Sequence, residues 1–163
     1  MMKKILISLI LILSLGFSYL YSSEMVVPIS LKNVKEVKVV FDLNVGNPRA
    51  LLLRLKLIEE TLLGISRYAN YTAVIAVRGK ASDYMTKGDK YVERKDLDLK
   101  KKIYQQLLRL KEKYHVRIEQ CKIALKLREI DPEDLYEFIE VVENGYISLI
   151  GYQMQGYAFI PMD

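Results

Sequence analysis

Apolar positions along the chain fall into alternating blocks of two kinds, short β-branched runs and longer stretches with helical spacing. The first run, Glu36–Leu43, is rich in valine and is closed by Asn44, Gly46, Asn47 and Pro48, which predicts a buried strand and a turn. Asn47 suits a helix N-cap and Pro48 the first helical position. From Arg49 to about Tyr68 the residues Leu51, Leu52, Leu55, Ile58, Leu62 and Ile65 recur at helical spacing. Tyr71–Val77 predicts a second buried strand, ending at Arg78 and Gly79, with a short helix expected through Met85. Residues 86–102 are dense in charge and predict a solvated loop that runs into a helix continuing to Tyr114. Val116–Gln120 predicts a third strand closed by Cys121, followed by a helix over Lys122–Glu129. Asp131, Pro132, Glu133 and Asp134 have the order of a helix start: cap, proline, then acids in the first turn. Phe138–Val142 predicts a fourth strand and Asn144-Gly145 a turn into a helix from Tyr146 to about Gln155. Gly156 stops that helix, and Tyr157–Ile160 predicts a fifth strand before Pro161.

Strands alternating with helices imply parallel βαβ units with right-handed crossovers. The expected fold is α/β: an open, mostly parallel five-stranded sheet with helices on both faces. In such sheets functional groups collect where strands end, at a topological switch point. The strand-end residues are Asn44, Asn47, Arg78, Cys121 and Asn144.

The first 35 residues stand apart from this pattern. Lys3 and Lys4 precede an apolar run from Ile5 to about Phe17, and small polar residues follow, which together make a secretory signal over residues 1–22. Cleavage after Ser22 or Ser18 fits. The run is shorter than the roughly 20 residues of a spanning helix, and no cysteine follows it to take a lipid. Residues 23–35 are then a leader and 36–163 one α/β domain, located in the periplasm or secreted. A membrane partner is expected only if the signal stays uncleaved, as in a tethered adaptor.

The chain carries 25 Lys+Arg against 20 Asp+Glu. Two of the lysines lie in the signal, and the rest are interleaved with acids. That mild charge does not point to nucleic acid. The Asn44–Pro48 turn has one glycine and a proline that removes an N–H, so it is no phosphate loop. G-x-G-x-x-G, C-x-x-C and H-E-x-x-H are absent. One histidine with one cysteine cannot make a zinc site, and no cofactor or metal is expected.

Cys121 is the candidate nucleophile. Its predicted place, between a strand and the helix from Lys122, would put the thiol at a helix N-terminus, where N–H groups favour a thiolate. With one cysteine in the chain, the thiol is inert packing, a one-cysteine carrier or nucleophile, or half of an intermolecular bond. His115 lies six residues earlier along the same run, about 20 Å away at about 3.3 Å per residue, which argues against a Cys–His dyad. Arg78, Lys122, Asn44 and Asn47 are the anion- or ligand-binding candidates. Arg78 ends the neighbouring strand and would face a thiolate, Lys122 follows the cysteine directly, and Asn47 is in the first place a helix cap. Tyr146, Tyr152 and Tyr157, with Ile147, Ile150 and Met154, supply more apolar surface than one helix face needs. They read equally as core or as an oligomer contact.

Taken in order, these segments resemble the DsrE/DsrF-like family. The resemblance rests on the strand ending Ala76-Val-Arg-Gly79, on Val116–Cys121, on Val141–Gly145, and on the C-terminal Gln153–Pro161. It implies a flavodoxin-like domain that assembles into trimers or hexamers. Some members carry sulfane sulfur as a persulfide on one cysteine and exchange it with donor and acceptor proteins. Cys121 occupies the position of that cysteine. Two departures bear on transfer: Arg78 stands where many relatives have a histidine, and Lys122–Leu125 replaces a small polar stretch. A persulfide carrier also needs no neighbouring thiol, which would attack the persulfide and expel its sulfur. The functional expectation is therefore an exported sulfur-relay protein working through Cys121. The alternative is a non-catalytic oligomeric α/β protein that binds a small ligand or a partner.

Overall fold

Eight-residue strands β1 (Glu36–Leu43) and β2 (Asn70–Val77) form the parallel centre of the sheet, with Glu36 opposite Asn70 and Leu43 opposite Val77. The computed structural model describes residues 29–163. Two units divide the chain between Lys32 and Asn33, and of the first only a short 3-10 turn at Ile29–Leu31 is described. The expected signal at residues 1–22 lies outside the described residues.

Around the two central strands stand β3 (Arg117–Cys121), β4 (Glu140–Val142) and β5 (Ala158–Pro161). The order is β4-β3-β2-β1-β5 and every pairing is parallel. The connecting helices are α1 (Pro48–Ile65), α2 (Leu97–Tyr114), α3 (Lys122–Leu127) and α4 (Gly145–Met154).

The topology assigns each helix to a face. Steps from β1 through β4 all move the same way across the sheet, so crossovers of one hand place α1, α2 and α3 on one face. The step from β4 to β5 returns to the far edge, which places α4 on the other. Packing agrees. Leu51, Leu55, Ile58 and Leu62 of α1 and Ile103, Leu107 and Leu110 of α2 join Phe41, Ile75 and Ile118 in the main core. Leu149 of α4 packs instead on Val40, Val74 and Ala76, with Tyr152 and Tyr157 beside it. Each of the large side chains withdrawn from water contributes about 1.5–3 kcal/mol, so the face covered by α1, α2 and α3 carries most of the stability.

Four local expectations are corrected. Asp131–Asp134 makes one 3-10 turn, Pro132–Asp134, and not a helix; Asp131 caps it by accepting from Glu133 N at 3.0 Å. The apolar residues that follow, Leu135, Tyr136 and Ile139, are drawn into the core and leave no helical stripe. The fourth strand is only Glu140–Val142. Helix α3 stops at Leu127, two residues early, with Glu129 in the left-handed region at φ 53°. In the charged stretch, Thr86 and Lys100 are buried and bonded to each other, Nζ to Oγ1 at 2.9 Å. Lys100 shares the inner face of α2 with Ile103, Leu107 and Leu110, so helical periodicity takes it into the core whatever its charge.

Burial raises the Tyr84 and Tyr136 hydroxyls to about 12, from 10.0. Both groups stay protonated in the fold where the unfolded chain has begun to ionise. Their contribution to stability is therefore full below about pH 10 and is lost as pH rises through about 12. Urea unfolding across that window should show each Tyr→Phe variant flattening the decline by up to about 1.4 kcal/mol per pH unit. An unchanged slope in Tyr136→Phe would refute the assignment for that residue.

Candidate active site at the β3–β4 crevice

The chain leaves β3 toward α3 on one face and leaves β4 toward α4 on the other. The C-terminal ends of these adjacent strands therefore border a crevice, the usual location of ligands in open α/β sheets. Cys121 is the last residue of β3 and only 5% exposed. It also forms part of the wall of a cavity of about 370 Å³ that includes Arg78, Lys80, Arg128, Leu127 and Tyr146.

The thiol does meet a helix N-terminus, but not the expected one. Cys121 occupies the N-cap position of α3 without a side-chain capping bond. Its side chain turns to the α4 face, where Gly145 N, the first residue of α4, donates to Sγ at 3.1 Å. Alternation explains this: Glu119 and Cys121 point to the α4 side of β3, while Ile118 joins the main core. The glycine keeps this approach uncrowded. A Cβ on Gly145 would stand 3.1 Å from Cys121 Cβ and 3.5 Å from Sγ. Gln120 holds the other side, its Nε2 donating to the Cys121 carbonyl at 3.1 Å and to Ser82 Oγ at 2.8 Å.

Arg78 reaches the site as expected, but its charge is shared. Nε and Nη2 each donate to Asp42 at 2.6 Å in a bidentate pair, and Nη1 donates to Tyr146 Oη at 3.2 Å. The guanidinium also lies 4.9 Å from the Tyr146 ring centre. The hydrogen-bonded pair with Asp42 raises the Arg78 pKa above its ordinary value, with a smaller contribution from Cys121. Asp42, Arg78 and Cys121 thus stand side by side at the ends of β1, β2 and β3, with α4 above them.

The other candidates do not join this cavity. Lys122 is exposed and lines a neighbouring hollow with Glu143 and Ile147, because successive residues at the strand end point opposite ways. Asn44 packs against Gly79, whose Cβ would come 3.5 Å from the Asn44 carbonyl oxygen and whose φ is +58°. Asn47 caps α1, accepting from Arg49 N and Ala50 N at 3.0 and 3.1 Å, and borders a different cavity. His115 is exposed and ends α2 in the left-handed conformation, ahead of β3 and at the opposite end of the strand from Cys121. Among the described residues no group of three His, Cys, Asp or Glu side chains is placed to hold a metal. No described helix is long and apolar enough to cross a membrane.

Sequence reasoning missed Asp42 and Glu119. The signal for both was an acid inside a strand otherwise buried, which requires a partner. Glu119 is 2% exposed. It accepts from Ser148 Oγ and, at 2.6 Å, from Tyr152 Oη, both on α4, and pairs with Arg117 Nε at 3.0 Å. Arg117 also pairs with Glu140 of β4 at 2.7 Å, which separates two glutamates that sit directly opposite in the β3–β4 register.

The DsrE/DsrF-like family pattern matches residues 47–162, well over half of the chain. The chain belongs to the DsrE/DsrF-like family. It is 35% identical over 132 residues to an uncharacterized protein of Aquifex aeolicus (strain VF5); that match covers 77% of this chain and 56% of the relative, so the chain spans little more than half of that protein's length. The DsrE-like fold is also seen in a protein of unknown function from Methanobacterium thermoautotrophicum, MTH1491. Its solved structure aligns with a TM-score of 0.61 at 18% identity, covering 77% of this chain and 98% of that one. Membership makes a sulfur-relay-related role the one to weigh against the crevice at Cys121.

Proposed function

We propose that this DsrE-like protein relays sulfane sulfur through Cys121. The observation that carries the reading is the setting of the thiol. Sγ accepts an N–H from the start of a ten-residue helix, at the wall of a cavity whose lining includes Arg78, Lys80 and Arg128 and no carboxylate. Such a setting stabilises a sulfur anion. The thiolate attacks the outer sulfur of a donor persulfide, the donor S–S bond breaks, and the donor thiolate leaves. Cys121 then holds the sulfur as a persulfide with no second thiol in the chain to expel it. Burial limits access for larger oxidants, which suits an exported protein, and residues 1–22 support export.

Six exposed apolar side chains on α3 and α4, three of them lining the Cys121 cavity, support assembly into a homo-oligomer or docking of a relay partner. Ile123 and Leu127 on α3 and Tyr146, Ile147, Ile150 and Met154 on α4 are 45–82% exposed. The segment read as core or contact is thus divided, with Leu149, Tyr152 and Tyr157 facing inward.

Intact-mass spectrometry after brief polysulfide exposure tests the reading. The folded protein should gain one or more sulfur masses, removable by reductant and missing from Cys121→Ala. A folded wild-type chain that gains none would favour the alternative, a binding or scaffolding protein with a structural cysteine.

A further inference from the structure

A second, larger cavity of about 740 Å³ adjoins the Cys121 chamber. Lys80 and Arg128 line both, so these two side chains stand between the spaces. The larger one is polar. It is bordered by the start of α1 at Asn47–Arg49, by Tyr84 and Tyr91, and by the 3-10 turn Arg94–Asp96. Its volume is within the range of small-molecule sites, roughly 300–1,000 Å³.

The charges lining it are not all spoken for. Arg128 is held by Asp83 in a bidentate pair at 2.7 and 2.6 Å, and Lys95 by Glu93 at 2.7 Å. Arg49 and Lys80 form no ion pair among the described residues, and neither does one carboxylate, Asp96, which lies near Tyr84. The space therefore offers two free cations and one acid. That is the complement of a small molecule with more carboxylate than ammonium groups. A molecule seated there with one end extended past Lys80 would bring that end into the chamber that Cys121 lines.

We propose that the sulfur donor is the persulfide of a low-molecular-weight thiol bearing carboxylate and ammonium groups. Its polar body occupies the larger cavity and its outer sulfur reaches Cys121. This rests on the sulfur-relay reading and names its substrate class. The Cys121 thiolate bonds to the outer sulfur, the S–S bond of the donor breaks, and the small thiol departs as its thiolate; no other oxidant or reductant takes part. A protein donor would present its persulfide from a chain tip and have no use for the polar cavity.

Glutathione persulfide and inorganic polysulfide, offered separately to the full reduced chain, distinguish these cases by the rate of mass gain on Cys121. Uptake from glutathione persulfide should saturate. Arg49→Gln, which alters the larger cavity alone, should lower the preference for glutathione persulfide over polysulfide about fivefold, the upper end for a partly exposed ion pair. A rate that stays linear in glutathione persulfide, or an unaltered preference, overturns the proposal. S-methylglutathione, which cannot transfer sulfur, separates the two readings. If wild type takes sulfur from neither donor but S-methylglutathione still shields Cys121 from iodoacetamide in an Arg49-dependent way, the cavity assignment stands and the relay fails. If it gives no shielding, the cavity assignment fails as well.

Discussion

Asp42→Ala should lower the free energy of unfolding by about 3 kcal/mol, read as a fall in the urea midpoint at constant m-value. The carboxylate is 4% exposed in β1, between β2 and β5, and both of its oxygens accept from Arg78 at 2.6 Å. Removing it leaves a guanidinium whose side chain is 22% exposed without its counter-charge. That residual access to water keeps the loss at the lower end of the 3–5 kcal/mol typical when a buried pair is broken. Arg78→Met should cost more, toward the upper end of that range, because the orphan is then the better-buried carboxylate. The double variant Asp42→Leu/Arg78→Met should return to within about 1 kcal/mol of wild type, since two apolar residues leave no buried charge. If the separate losses of Asp42→Leu and Arg78→Met simply add in the double variant, the pair is not coupled, and the reading of this corner of the site would fail.

The same pair limits what Arg78 can do for the thiol. A guanidinium committed to Asp42 on one edge and to Tyr146 on the other presents only part of its charge to Cys121. Asp42→Asn keeps the shape of the contact and releases that charge. Alkylation of Cys121 at neutral pH should then be several-fold faster. Lysine cannot replace Arg78, because a single ammonium cannot bond both carboxylate oxygens in a fork and lie against the tyrosine ring together.

Much of the architecture was legible in the sequence because burial is two-sided. β1 was bounded correctly at Glu36–Leu43, and α1 ran from Pro48 as its cap and proline required. Strands buried on both faces stand out as apolar runs, and helices between them as a 3.6-residue period. The short elements were less legible. Residues 130–142 contribute to the core one side chain at a time, so their apolar residues gave a strand longer than the one that pairs. The site was half legible for a related reason. Local order places Cys121 at a strand end next to a helix, but which helix serves it depends on the crossover that takes α4 to the opposite face. Nothing within a few residues of Cys121 encodes Gly145, 24 positions later. Asp42 and Glu119 were visible as misfits, charged residues inside buried strands, and needed the fold to supply their partners.

Glu119 is a positioning residue for the thiol, and Glu119→Ala should have the other large effect. One carboxylate fixes α4 over β3 through Ser148 in its first turn and Tyr152 in its second, and through Arg117 it also ties β4. Its loss leaves Tyr152 Oη and Ser148 Oγ without their acceptor and Arg117 facing Glu140 alone, at an expected cost of about 3 kcal/mol. A purely structural role would stop there. The helix whose height Glu119 sets begins with the N–H that meets Cys121 Sγ, so loosening α4 should withdraw the stabilisation of the thiolate. Alkylation of Cys121 and sulfur uptake, both at neutral pH, should fall about tenfold in the folded alanine variant, the equivalent of one charge-assisted hydrogen bond. Glu119→Gln keeps a carbonyl oxygen for α4 and should restore most of both rates while recovering only part of the stability, since the ion pair to Arg117 is gone. If the alanine variant is destabilised but its alkylation rate matches wild type, the helix start does not govern the thiol, and Glu119 is a structural residue alone.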